Sequence, residues 1–217
     1  MPDPAARRRT AVLISGRGSN LRALIEHCAR PGASAEIALV VADQPGAPGL
    51  EHARAANIRS EIIDQKTRIE LERKLNRLLQ TFDIGIICLA GFMRVLSPEL
   101  VAAWRDRLLN IHPSLLPAFR GLETHRRALE AGVRFHGCTV HFVRAGVDAG
   151  PIIVQGVLAV SPDDTPESLA ARVLTLEHRC YPAALELVAS GRAQVVNERV
   201  PIDGASAPET LLLNPVA

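Results

Sequence analysis

The sequence predicts an α/β protein with a Rossmann-like, mostly parallel central sheet, helices on both faces, and an antiparallel addition in the C-terminal half. Three observations support this prediction. In the first half of the 217 residues, apolar runs alternate with amphipathic stretches. Several of these runs are apolar at every position, as in strands that are buried on both faces. In the second half, two strand-like runs flank a glycine-containing turn, which is typical of antiparallel neighbours.

The first half of the chain contains four predicted strands and three predicted helices, in the alternation that βαβ units require. The predicted strands cover residues 10–14, 36–42, 61–63 and 84–90, and the predicted helices cover residues 20–29, 50–56 and 67–80. The last helix has the clearest amphipathic pattern. The apolar residues on or near one of its faces are Ile69, Leu71, Leu75, Leu78 and Leu79.

The second half of the chain has a different pattern of predicted elements, which begins with a strand that ends before Pro113. The predicted strands cover residues 107–111, 138–144 and 151–160, and the predicted helices cover residues 124–131 and 166–189. Residues 113–121 form a loop that begins and continues with prolines. We therefore predict one domain over residues 10–197, a disordered basic tail at 1–9, and an irregular tail at 198–217.

Charge and cysteine content narrow the classes of function. The 25 basic and 23 acidic residues give a net charge of +2, which disfavours a nucleic acid partner. No segment reaches the roughly 20 apolar residues of a membrane helix. The four cysteines, Cys28, Cys88, Cys138 and Cys180, form no C-x-x-C pair. We expect free thiols, no metal, and a cytoplasmic location.

A glycine-rich turn follows the first strand and precedes the first helix. Gly16 and Gly18 let the backbone approach a ligand closely, and the helix N-terminus attracts an anion. Ser19 is expected to cap the helix. Leu21 stands where a dinucleotide fingerprint requires a third glycine, so the turn favours a phosphorylated small molecule over a nicotinamide cofactor. A tight turn without a ligand is the alternative.

Two polar residues lie at the end of the predicted strand 107–111. Asn110 and His112 point to the same side because side chains alternate along a strand. The carboxyl ends of sheet strands are where α/β proteins place active sites. An amide donor beside an imidazole can stabilise an oxyanion in acyl transfer. A structural role for this histidine, which precedes Pro113, is the alternative.

A single carboxylate, Asp148, lies in a later loop between Gly146 and Gly150. A carboxylate in such a loop can orient an imidazole. An ordinary turn aspartate is the alternative, since aspartate is common beside glycine in turns. The sequence does not establish whether Asp148 reaches the histidine.

Five motifs occur together in a fixed order. They are SGRGSN at 15–20, LAGFMRVL at 89–96, LNIHPSLLP at 109–117, GCTVHFV at 137–143 and VDAG at 147–150. In this set the chain resembles the phosphoribosylglycinamide formyltransferases, a family of folate-dependent formyltransferases. The resemblance covers about residues 10–197. It implies transfer of a formyl group from 10-formyltetrahydrofolate, a cosubstrate, to the amine of phosphoribosylglycinamide, without a metal, in purine biosynthesis.

The resemblance also implies roles for individual residues. Asn110 and His112 would stabilise the oxyanion, and Asp148 would orient His112 and keep it protonated. The nucleotide substrate would be bound by Gly18, Ser19, Asn20 and Glu177. The folate would be bound by Arg68, Met93, Arg94, Val95, Leu96 and Asn110. The expected partners are these small molecules, with no nucleic acid or membrane, and a monomer or homodimer is expected.

One departure and three alternatives accompany the resemblance. Ala145 stands where the family usually carries an acidic residue, and we expect little effect because the loop backbone is the expected pterin contact. Relatives that hydrolyse formyltetrahydrofolate typically carry an extra N-terminal domain, and those that formylate initiator tRNA an extra C-terminal domain. We expect neither, since nine residues precede the first predicted strand and about twenty follow the matched region. A catalytically silent ligand-binding protein is the third alternative.

Overall fold

The computed structural model describes residues 7–206, 209 and 212–215. Seven strands are present among these residues: β1 (Arg8–Ile14), β2 (Ala35–Ala42), β3 (Ser60–Ile62), β4 (Ile86–Leu89), β5 (Leu108–His112), β6 (Phe135–Phe142) and β7 (Ile152–Ala159). Six helices accompany them: α1 (Ser19–Cys28), α2 (Leu50–Ala55), α3 (Arg68–Thr81), α4 (Pro98–Ala103), α5 (Thr124–Glu130) and α6 (Pro166–Ala189).

All seven strands form one sheet in the order β3-β2-β1-β4-β5-β6-β7. Neighbouring strands from β3 to β5 pair in parallel, whereas β6 and β7 add antiparallel strands at one side. This topology confirms the predicted fold class. The chain runs outward in one direction from β1 to β3 and then in the other direction from β4 onward. The resulting switch point between β1 and β4 is where open α/β sheets bind ligands.

Two apolar layers cover the two faces of the sheet. In β1, Val12 and Ile14 pack into the layer that contains α1 and α6, whereas Ala11 and Leu13 pack into the layer that contains α3 and α4. This division follows from the alternation of side chains along a strand. Tyr181 of α6 is fully buried, and its hydroxyl lies 3.0 Å from the carbonyl oxygen of Leu89. The long C-terminal helix is thereby fixed against the centre of the sheet.

Two details of the helices on the α3 face differ from expectation. Ile69 was expected near the apolar face of α3 but is 76% exposed, because it lies in the first turn and off the line of buried leucines. Helix α4 was not predicted. Its start nevertheless carries two standard signals, since the Ser97 side chain accepts a hydrogen bond from the Leu100 N–H and Pro98 occupies the first turn.

At the two predicted tails, residues 1–9 and 198–217, the structure differs in part from the prediction. Strand β1 begins at Arg8, two residues earlier than predicted, and its Arg8 and Arg9 pair with β2. Residues 1–6 lie outside the described residues. At the other end, Ile202 bridges to Ala193 in an antiparallel manner, so the beginning of the expected irregular tail returns onto the domain. The domain boundary at residue 197 stays a prediction.

None of the helices described here has both the length and the hydropathy that a bilayer-spanning segment requires. Within the same ranges, no three His, Cys, Asp or Glu side chains converge as they would around a metal ion.

Candidate active site

The end of β5 brings the predicted catalytic residues together. His112 is buried, and its Nδ1 lies 3.3 Å from Oδ2 of Asp148. Its other ring nitrogen, Nε2, lies 3.0 Å from the carbonyl oxygen of Phe119. A carbonyl and a carboxylate can only accept hydrogen bonds, so both ring nitrogens face acceptors. A doubly protonated imidazolium satisfies both contacts.

Asp148 joins two loops as well as binding the imidazole. Its Oδ2 accepts a hydrogen bond of 2.9 Å from the Gly121 N–H, in the loop that follows β5. Its backbone has a φ of 47°, in the left-handed region that residues other than glycine rarely adopt. Strained backbone of this kind clusters at functional sites. In the same β5 loop, the Leu116–Pro117 peptide bond is cis.

His141 belongs to the same cluster, although the sequence analysis gave it no role. Its Nδ1 donates a hydrogen bond to the carbonyl oxygen of Phe142, so Nε2 is the acceptor and lies 3.3 Å from Nδ2 of Asn110. Burial lowers the pKa of His141, which favours this neutral form. The antiparallel register pairs His141 directly with Asn110. A histidine inside the 137–143 motif was the signal that could have indicated it.

A second polar pair connects α1 to α6. Nδ2 of Asn20 donates a 2.6 Å hydrogen bond to Oε2 of Glu177, and both side chains are buried. Burial raises the pKa of Glu177, and the contact with Asn20 opposes that shift. Among the described residues, Oδ1 of Asn20 has no hydrogen-bond partner. The pair thus presents an unused acceptor and a carboxyl group beside the glycine turn.

The glycine turn itself differs from the prediction in one respect. Gly18, rather than Ser19, is the N-cap of α1, and no side chain caps this helix end. Gly18 has a φ of 71°, and a Cβ placed on it would lie 2.6 Å from Cα of Gly49. The N–H groups at the start of α1 are therefore left without a side-chain cap, and the space beside Cα of Gly18 is filled by the backbone of Gly49.

The predicted folate segment leaves the end of β4 and exposes apolar side chains. Met93 and Val95 are 66% and 71% exposed, whereas Leu96 packs partly against the core. The guanidinium of Arg94 contacts Asp43 and donates to the carbonyl oxygen of Gln65. Arg94 is thus engaged within the chain. Two exposed apolar side chains in one short segment are candidates for contact with a ligand.

The predicted site residues therefore fall into three groups at one edge of the sheet. The three predicted catalytic residues meet at the end of β5, the residues predicted to bind the nucleotide lie at the start of α1 and on α6, and most of those predicted to bind the folate follow β4. Arg68 is exposed at the start of α3. Among the described residues, no hydrogen bond or ion pair connects it to the segment 93–96, so its assignment depends on the resemblance alone.

Comparison with known proteins identifies several similar sequences and structures. The formyl transferase family matches residues 8–185. A trifunctional purine biosynthetic protein adenosine-3 from Gallus gallus is 52% identical over 86% of this chain, but the chain spans only 19% of that protein's length. The phosphoribosylglycinamide formyltransferase of Escherichia coli is 40% identical, with 91% of this chain and 94% of the relative covered.

A solved structure has the same architecture. Glycinamide ribonucleotide transformylase 1 from Symbiobacterium toebii superposes with a TM-score of 0.86 and 45% identity, covering 90% of this chain and 94% of that one. The agreement over nearly the whole of both chains means that the sheet, its antiparallel addition and its helices occur in the same arrangement in the two proteins.

Proposed function

The chain belongs to the formyl transferase family, and we propose that it transfers a formyl group from 10-formyltetrahydrofolate to the amine of phosphoribosylglycinamide. The product is the N-formyl compound of de novo purine biosynthesis. The observation that carries this proposal is the contact of His112 with Asp148, beside Asn110, at the carboxyl end of a central strand. These three side chains supply the groups that acyl transfer to an amine requires.

The transfer begins when the substrate amine attacks the formyl carbon of the folate. Negative charge then develops on the formyl oxygen, and hydrogen-bond donors positioned for that oxygen lower the barrier. In our proposal the Asn110 amide and the His112 imidazolium are these donors. Asp148 orients the imidazole and compensates its charge. The attacking amine loses a proton as the C–N bond to the folate breaks, and that nitrogen of the leaving tetrahydrofolate regains one.

The nucleotide substrate is proposed to bind at the turn between β1 and α1. Gly18, Ser19 and Asn20 offer backbone and side-chain groups to its phosphate at the positive end of the helix dipole. Glu177 is proposed to bind a donor group of the same substrate. The unpartnered Oδ1 of Asn20 and the buried carboxyl of Glu177 support this proposal, because each gains a partner when a polar ligand binds.

The folate is proposed to bind along the segment that follows β4. The exposed side chains of Met93 and Val95, with Leu96 behind them, provide an apolar wall for a pteridine. Because the Arg94 side chain is engaged with Asp43, we propose that Arg94 contributes its backbone to this wall. Arg68 is proposed at the edge of the cleft. Neither substrate assignment involves a metal.

An absorbance assay distinguishes this function from hydrolysis of the same folate. The loss of 10-formyltetrahydrofolate is followed with and without phosphoribosylglycinamide. Consumption that requires the nucleotide supports the transfer, whereas equal consumption without it supports a hydrolase. No consumption in either case contradicts both and leaves a silent binding protein. A cytoplasmic location and a monomer or homodimer remain predictions, and gel filtration at assay concentration tests the second.

A further inference from the structure

A side chain connects the glycine turn to the segment that follows β4. Strands β1 and β4 pair in parallel up to Leu13 and Leu89, and Ala90 N–H still donates to the carbonyl oxygen of Leu13. Beyond that point the two chains diverge. The Met93 N–H then donates a 2.9 Å hydrogen bond to Oγ of Ser15. The hydroxyl of Ser15 therefore takes the place of a backbone carbonyl after the sheet has ended.

The Ser15 hydroxyl has an unused donor. A serine hydroxyl can donate one hydrogen bond while it accepts another. Among the described residues, the Ser15 hydroxyl accepts the Met93 N–H and donates no hydrogen bond, although Ser15 is only 8% exposed. Ser15 is also the first residue of the turn that continues through Gly16 to Gly18. The proton of its hydroxyl is thus available to an anion bound at the turn.

A second contact attaches the same segment to the neighbouring strand. Arg94 Nε lies 3.3 Å from Oδ2 of Asp43, a residue that is only 4% exposed. The Asp43 N–H in turn donates to the carbonyl oxygen of Ile14, immediately before Ser15. Met93 and Arg94 are therefore both held to one place, the junction of β1 with the glycine turn. A shift of that junction would move the segment 91–96.

We propose that Ser15 is a positioning residue that couples the two substrate sites, so that a nucleotide bound at the turn strengthens folate binding at the segment 91–96. When the hydroxyl donates to an anion, its oxygen becomes a better acceptor for the Met93 N–H, because hydrogen bonds in a chain polarise one another. This inference rests on the proposed function, since it assumes that one ligand occupies each site. Coupling is reciprocal, so the folate strengthens nucleotide binding by the same factor.

The expected size of the coupling follows from the strength of one hydrogen bond. A net contribution of a single hydrogen bond corresponds to about a threefold to tenfold change in affinity. Because a bond in such a chain strengthens by about 10–30%, we expect phosphoribosylglycinamide to tighten the binding of tetrahydrofolate by up to about twofold. In Ser15→Ala the factor should fall close to one. The variant should raise the KM for both substrates, because it removes the hydroxyl that is proposed to donate to the anion and that accepts from the Met93 N–H.

Titration calorimetry tests the coupling without turnover. Tetrahydrofolate carries no formyl group, so its Kd can be measured with and without saturating phosphoribosylglycinamide. Ser15→Thr keeps the hydroxyl and should keep the ratio of the two Kd values. Thr10→Val removes a different buried hydroxyl, from the opposite part of β1, and should also keep the ratio. If Ser15→Ala fails to fold, Ser15→Cys replaces it, since a thiol is a poor acceptor.

Each outcome has one interpretation. A ratio that is lost in Ser15→Ala and kept in Ser15→Thr and Thr10→Val supports the proposal. A wild-type ratio of one overturns it, as does a ratio that Ser15→Ala leaves unchanged. The proposed function fails separately, when the wild-type protein does not consume 10-formyltetrahydrofolate in the presence of phosphoribosylglycinamide.

Discussion

Gly18 provides the sharpest test of the glycine turn between β1 and α1, where the nucleotide is proposed to bind. In Gly18→Ala, a side chain must adopt a φ of 71°, and its Cβ must lie 2.6 Å from the backbone of Gly49. A left-handed conformation costs about 1–2 kcal/mol for a residue other than glycine. The backbone shift that relieves the overlap costs about another 1–3 kcal/mol. We expect a loss of about 2–5 kcal/mol in the free energy of unfolding.

Gly32 offers a matched control for the cost of the left-handed backbone conformation. Its φ is 79°, and a Cβ placed there meets no atom within 4 Å. Gly32→Ala should therefore lose only about 1–2 kcal/mol. Urea unfolding followed by circular dichroism gives both free energies. Gly18→Ala should also raise the KM for phosphoribosylglycinamide, whereas Gly32→Ala should not. Equal stability losses in the two variants would refute the role of the contact between Gly18 and Gly49.

Three further changes test the site and its electrostatics. His112→Ala should lower kcat by about 100-fold or more in the formyl-transfer assay, because it removes a donor to the oxyanion, while the Kd of tetrahydrofolate changes little. Glu177→Gln should raise the Tm at pH 7 and weaken nucleotide binding, since burial raises the pKa of Glu177 and the ionised form destabilises the fold. That gain in Tm should disappear as the pH falls below about 4.5, where the unfolded chain is protonated as well. His136→Phe should reduce the loss in the free energy of unfolding that occurs as the pH falls from 6.5 to 4, because burial and the neighbouring His125 lower the pKa of His136 to about 4. Between pH 6.5 and pH 4 the unfolded state therefore binds more protons than the folded state does. Urea unfolding should show that the free energy of unfolding falls by up to about 3 kcal/mol more in the wild-type protein than in the variant.

Opposite results would contradict each of these expectations. Near wild-type turnover in His112→Ala would exclude its proposed role. A lower Tm at pH 7 in Glu177→Gln, or a change that does not vary with pH, would mean that the ionised carboxylate stabilises the fold. For His136→Phe, a pH dependence identical to that of the wild-type protein would mean that other groups account for the acid sensitivity.

Local patterns in the sequence were sufficient for most of the fold. The alternation of buried runs with amphipathic stretches predicted the mixed sheet and its helices, because periodicity follows from burial. Ile69 shows the limit of that argument, since a residue near the apolar face in sequence can lie beyond the packed part of the helix. Helix α4 was missed, although the capping side chain of Ser97 and the proline at position 98 signal its start.

The proposed catalytic residues were predicted individually, but their contacts were not predictable from spacing. Asp148 reaches His112 only because the loop after β6 folds back to the end of β5. The contact of His141 with Asn110 depends on the register of β5 against β6, which is a non-local property. The contact between Ser15 and Met93 is of the same kind, since it joins positions 78 residues apart.

The hydrogen bond between Asn20 and Glu177 has a consequence for the synthesis of the protein. It joins positions that are 157 residues apart. A ribosome that adds about 5–20 residues per second makes Glu177 roughly 8–30 s after Asn20. During that interval Leu21 and Leu24, which are fully buried in the finished protein, have no α6 to cover them. The nascent chain must therefore remain soluble while this apolar helix face is exposed, and its proposed nucleotide site is completed only when α6 has been made.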